Sequence, residues 1–181
     1  MNPVVTKLRA VLPAVKDWID QTLQVHANAA TPVLQSPFIR LQDHYPDTLL
    51  AKTRVVVVPR VPFPPASQLG LPEFRAMETM PMAGVTYKNT FFVCNGQQSD
   101  SLYFHELVHV VQWDHLGVDN FLLTYAIGLL QHGYQQSPLE QMAFRLQASF
   151  DQQRVPENLV ELITERTDGV WETARRLLQT G

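Results

Sequence analysis

The chain has 181 residues, 45% of them hydrophobic and 17% charged, with a formal net charge of -3. That balance describes a globular protein long enough to bury a sizeable core in one domain, and it excludes extended disorder. The basic residues are scattered, which gives no footing for nucleic acid or an anionic membrane, and the single cysteine, Cys94, excludes an internal disulfide and any multi-thiolate zinc site.

Val4, Leu8, Val11, Val15 and Trp18 recur at three- and four-residue steps. They predict an amphipathic helix within residues 1–30, kinked or divided at Pro13. Its apolar stripe is expected to pack on the domain, and a sharper alternative is a latency segment lying over an active site. Lys7 and Arg9 precede the stripe, but Lys16 and Asp17 interrupt it, so no secretory signal is expected. No apolar run is long enough to cross a bilayer, and the reading is cytoplasmic unless dedicated export machinery carries the chain.

Pro32, Pro37 and Pro46 break residues 30–46 into turns and short helical pieces. Arg54 to Val58 is a β-branched run stopped by Pro59, the pattern of a buried strand. Pro62, Pro64 and Pro65 then enforce an extended loop, and Pro72 to Met77 predicts a short helix. Gly84 to Val93 holds two β-rich pieces around Lys88-Asn89, a hairpin or bent strand in which Asn89 suits a left-handed turn.

From Leu102 to Val111 the sequence is apolar almost all round, apart from His105, Glu106 and His109, so the predicted helix is buried. Ser99, Asp100 and Ser101 offer N-cap oxygens, and Gly117 offers a C-terminal stop. A second apolar helix is expected from about Phe121 to Leu130, and Ser137-Pro138-Leu139-Glu140 opens a third. Pro156 to Thr180 predicts one or two further helices, broken near Asp168-Gly169. Strands first and helices later argue for an α+β chain of one domain, with sheet and metal helix in 50–116 and a mostly helical part in 117–181.

His105-Glu106-Leu107-Val108-His109 is the most informative segment. Histidines four residues apart on a helix project from one face, so two imidazoles can reach one small cation. The glutamate after the first histidine points to the side, where it can act on water at the metal without being a ligand. A pure scaffold has no need of that carboxylate. With one cysteine in the chain, zinc must be held by histidine and carboxylate.

A catalytic zinc needs a third protein ligand, and two residues compete for the role. His115 lies where a metzincin places its third histidine, but Gln112 replaces the glycine on which that turn depends. Glu140 starts a later helix beside the apolar stripe of Leu139, Met142, Ala143, Leu146 and Phe150. It equally completes a capping box with Ser137, and spacing alone leaves ligand and cap open.

Three runs, Gly84 to Val93, His105 to Gln112, and Gly133-Tyr134 leading into Ser137 to Ala143, resemble the core of gluzincin-type zinc metallopeptidases. More narrowly they resemble the minigluzincins and the H-E-x-x-H core domain associated with extracellular contractile injection systems. The resemblance covers about a third of the chain. It implies a zincin-like fold, with a small mixed sheet whose edge strand lies above the metal helix. It also implies zinc on His105, His109 and Glu140, with Glu106 as the catalytic base. One departure is Phe144, which stands where larger gluzincins often carry an aspartate that orients a histidine.

The expected function is therefore zinc-dependent hydrolysis of peptide or protein substrates; the alternative is a zinc-stabilised binding or scaffold domain. Tyr134, or less directly His132, could donate to the developing oxyanion. An extended peptide could pair with an edge strand near Thr90 to Val93. Cys94, at the end of that strand, reads as a buried free thiol and not a ligand. Oligomeric state is not legible.

Overall fold

The computed structural model describes residues 3–179, beginning with helix α1, Pro3–Val25. Of the kink or division expected at Pro13, the division does not occur: one helix runs through it. Pro13 is exposed, so the carbonyl its missing N–H leaves unpaired can face water, which lowers the cost of keeping the helix. A two-residue strand β1, Thr31–Pro32, and 3-10 turns at Val33–Gln35 and Ile39–Asp43 fill the proline-punctuated region.

After α2, Asp47–Lys52, the valine run forms β2, Arg54–Val58. A short helix α3, Arg75–Thr79, precedes the hairpin of β3, Gly84–Tyr87, and β4, Thr90–Cys94. The left-handed residue of the hairpin is Lys88 (φ 57°) and not Asn89. Asn89 instead uses its amide to donate to the Lys52 carbonyl at 3.1 Å, tying the turn to the end of α2.

The sheet is mixed, in the order β1-β2-β4-β3. β2 runs parallel to β4 in the register Val56↔Phe92, and β3 runs antiparallel to β4 with Val85↔Phe92. Thr90 to Val93 are thus central, and the strand with an open edge beside the helix that carries His105 and His109 is β3. The consecutive apolar residues of β4 record this position, because a strand covered on both faces needs no polar alternation. Phe91 and Val93 enter the core shared with Tyr103, Phe104 and Leu107, while Phe92 packs on the other face with Ile19, Val56 and Trp113.

His105, Glu106 and His109 belong to α4, Asp100–His132, capped by Ser99, whose Oγ accepts from the Leu102 amide at 3.1 Å. Gly117 interrupts it with φ 73° and ψ 170°, so residues 100–116 and 118–132 are two helical arms. Glycine reaches that backbone conformation without the Cβ clash other residues meet. Helices α5, Pro138–Asp151, and α6, Leu159–Gln179, pack against α4. The rings of Phe104 and Phe150 stack at 4.5 Å between α4 and α5. α6 continues through Asp168-Gly169, where a break was expected; its buried stripe, including Ile163, Thr167 and Ala174, outweighs the roughly 1 kcal/mol helical cost of one glycine. The architecture is α+β, with a small mixed sheet and a mostly helical C-terminal part. Among the described residues no helix is long and apolar enough to cross a membrane.

Candidate metal centre

His105 and His109 lie one turn apart on the first arm of α4, and both are buried. Their Nε2 atoms stand 3.1 Å apart. Glu140, in the first turn of α5, brings Oε2 to 3.3 Å from each of them. The spacing left Glu140 open between ligand and helix cap, and the geometry separates the two. Ser137 is the N-cap residue but makes no side-chain cap hydrogen bond, and the Glu140 carboxylate turns inward to the histidines. His115 is elsewhere, on the surface, with Nε2 2.6 Å from Asp168 Oδ1.

The protons on the two imidazoles follow from their neighbours. Gln112 Nε2 donates to the Leu139 carbonyl at 3.2 Å, which leaves its Oε1 facing His109 Nδ1 at 2.8 Å. Gln147 Nε2 donates to Ser101 Oγ at 3.0 Å, which leaves its Oε1 facing His105 Nδ1 at 3.0 Å. Both glutamine oxygens can only accept, so each Nδ1 carries a proton and each Nε2 is the nitrogen left to face Glu140. Glu140 Oε2 is buried and has no hydrogen-bond partner. Its 3.3 Å approaches to the two Nε2 atoms therefore place a carboxylate against nitrogens that can carry either a proton or a metal ion.

Three buried donor atoms converging in this way need positive charge between them, either a proton or a metal cation. For bonds of about 2.0–2.1 Å, the donors of a tetrahedral ion stand roughly 3.3 Å apart. The observed separations of 3.1, 3.3 and 3.3 Å match. The buried His105–His109–Glu140 group can therefore hold a metal ion.

Acid–base balance shows the same crowding. Burial opposes charge on His109, but the Glu140 carboxylate outweighs it and pushes the imidazole up to about 9. Burial alone would raise Glu140, yet His109 and His105 hold it well below the usual carboxylate range.

Two features support Glu140 and Glu106 from outside the motif. Tyr125, on the second arm of α4, donates its hydroxyl to Glu140 Oε1 at 2.6 Å, which aims Oε2 at the histidines. Thr86, on β3, donates to Glu106 Oε2 at 2.6 Å. Glu106 is not one of the converging donors. Burial keeps its carboxyl above the ordinary value, partly offset by His105, His109 and the Thr86 hydrogen bond. Its other oxygen lies over Gly84, where an added Cβ would stand only 2.3 Å from Oε1. Glycine at that strand position makes the room Glu106 needs.

Tyr134 is half-buried and lines the cavity that opens from the donor group. Burial, then Glu140 and Glu106, raise its hydroxyl far above the ordinary value, so it stays a donor. His132 is exposed and does not line the cavity. Phe144 lays its ring 4.7 Å from that of His105, and Gln147 supplies the orienting hydrogen bond that the aromatic residue cannot. Cys94 is half-buried with Sγ 3.3 Å from the Met82 carbonyl, apart from the donors.

Sequence reasoning missed Gly84, Thr86, Gln112, Tyr125 and Gln147 as parts of the site. Gln112 had a readable signal, since it follows His109 by three residues on one helix and so shares its face. Tyr125 and Gln147 come from helical segments whose packing the sequence does not show. Orienting partners of this kind change metal affinity about 10- to 100-fold. Gln147→Ala and Gln112→Ala are each expected to weaken the binding of a divalent metal ion such as zinc by that factor in competition with a chromophoric chelator; full affinity in both would remove the orienting role. Compared with known proteins, the chain matches no family model, no curated protein and no solved structure, so the chemistry rests on the site's own atoms.

Proposed function

We propose that this protein is a zinc-dependent metallopeptidase of gluzincin type, with a zincin-like fold, acting on peptide or protein substrates. The observation that carries the reading is the convergence of His105 Nε2, His109 Nε2 and Glu140 Oε2 beside a carboxylate, Glu106, that is not one of them. Two imidazoles and one carboxylate suit zinc and match the three-ligand sets of catalytic sites, which keep one position open. When bound, zinc supplies Lewis acidity toward a carbonyl oxygen and toward water.

The chain's own residues do the rest. Thr86 holds Glu106 by Oε2, so Oε1 above Gly84 is the atom that accepts a proton from the attacking water. The same oxygen returns it to the leaving amine. Tyr134 faces the developing oxyanion with a hydroxyl that remains protonated. The open edge of β3, not β4, is the lane along which an extended substrate backbone pairs.

The test is zinc removal and return. Stripping with a chelator is expected to abolish cleavage of an unfolded polypeptide such as reduced casein, and one equivalent of zinc per chain to restore it, read by elemental analysis and product mass. Stoichiometric zinc with no cleavage across a broad peptide library would assign a zinc-stabilised binding domain instead. Failure to take up zinc would end both readings.

A further inference from the structure

The donor group lines a cavity of about 120 Å³. α1 lines it through Leu12, Val15 and Ile19, and the second arm of α4 through Phe121, Leu122 and Ala126. Phe63, Phe74 and Met82 line it further. Its ionisable lining groups are His105, Glu106, His109 and Glu140 together with three tyrosines, and no lysine, arginine or aspartate lines it. The cavity thus joins one cluster of ionisable groups to a lining that is otherwise mostly apolar.

α1 is fixed in place as part of that lining. Lys16 pairs with Asp119 at 2.6 Å on the second arm of α4, Asp20 pairs with Lys88 in the hairpin, and Lys7 pairs with Glu73 at 3.2 Å. Ile19 is fully buried, and the ring of Trp18 meets that of Tyr87 edge-on at 5.6 Å. The cavity opens to solvent, so its apolar lining stays in contact with water unless an apolar group fills it.

We propose that this cavity is the specificity pocket of the peptidase and receives one uncharged aliphatic or aromatic side chain, of leucine to phenylalanine size, flanking the hydrolysed bond. The inference rests on the metallopeptidase reading and names its substrate class. Size sets the upper bound: an apolar protein cavity of about 150 Å³ takes a single benzene ring. Charge sets the exclusion, because a buried ammonium or carboxylate would find no counter-ion in the apolar lining. The N-terminal helix, outside the motif segments, thereby decides what is cleaved.

The experiment titrates the full zinc-loaded chain with four capped amides, N-acetyl-leucinamide, -phenylalaninamide, -lysinamide and -aspartamide, followed by calorimetry and by the fluorescence of Trp113, which also lines the cavity. The leucine and phenylalanine probes are expected to bind at least about tenfold tighter than the charged pair. Val15→Phe and Ala126→Leu, filling the cavity from α1 and from α4, should each remove that preference while circular dichroism and zinc content stay unchanged. Equal binding of all four probes, or an undisturbed preference in whichever filled variants fold, would overturn the pocket. Apolar preference in a chain that hydrolyses nothing keeps the pocket and sinks the peptidase. Hydrolysis indifferent to side chain does the reverse.

Discussion

Glu106→Gln is expected to retain one zinc per chain and to lose peptide-bond hydrolysis by about 10²- to 10⁴-fold, the range of a positioned general base. The substitution keeps shape and burial, so the donor group is left standing: none of the three converging atoms belongs to residue 106. The Thr86 hydroxyl, now donating to Glu106 Oε2 at 2.6 Å, finds the amide oxygen of glutamine in the same place. Only the capacity to take a proton is gone. Elemental analysis and progress curves on one preparation separate the outcomes. Wild-type turnover in the variant would remove Glu106 from the chemistry, and loss of zinc along with activity would show that the residue supports the metal instead.

Glu140→Ala is expected to weaken zinc binding by on the order of 10²- to 10³-fold, since a zinc site shares its free energy among three or four ligands. The removed carboxylate is the one donor contributed by α5, and Tyr125 loses the acceptor it meets at 2.6 Å. Thermal melts give a second reading. At a free zinc concentration about 100 times its dissociation constant, the wild type gains roughly 2.7 kcal/mol. For a chain of this length that corresponds to a rise of about 5–10 °C, and the variant should show almost none at the same concentration. His115→Ala is the control, because His115 sits at the surface against Asp168 and should keep full zinc affinity. Zinc lost in His115→Ala and kept in Glu140→Ala would overturn the ligand set.

What the sequence made legible was local. The four-residue step between His105 and His109 fixes a shared helical face whatever else the chain does, and the valine run at 54–58 names a buried strand by composition. The Ser99 cap and the Gly117 stop are backbone requirements that side chains announce. Glu140 stayed ambiguous because one residue pattern serves a helix N-terminus and a metal, and only the packing of α5 on α4 decides which way the carboxylate turns. The open strand was misplaced because a hairpin reveals its own pairing and nothing of the strand that joins its far side. β2 reaches β4 across a long connection. Gly169 was read as a break from local preference, and the burial of α6 overrode it, while at Pro13 exposure to water let α1 continue undivided.

Gly84 and Glu106 lie far apart in the chain yet compete for one small volume. Descent with modification should therefore treat them as a linked pair. A lineage that gives residue 84 a side chain must shorten or swing aside residue 106, and one that surrenders the acid frees the strand to drift. Descendants that have lost the Glu106 carboxylate while keeping the histidines would be recognisable first by a bulkier residue at 84.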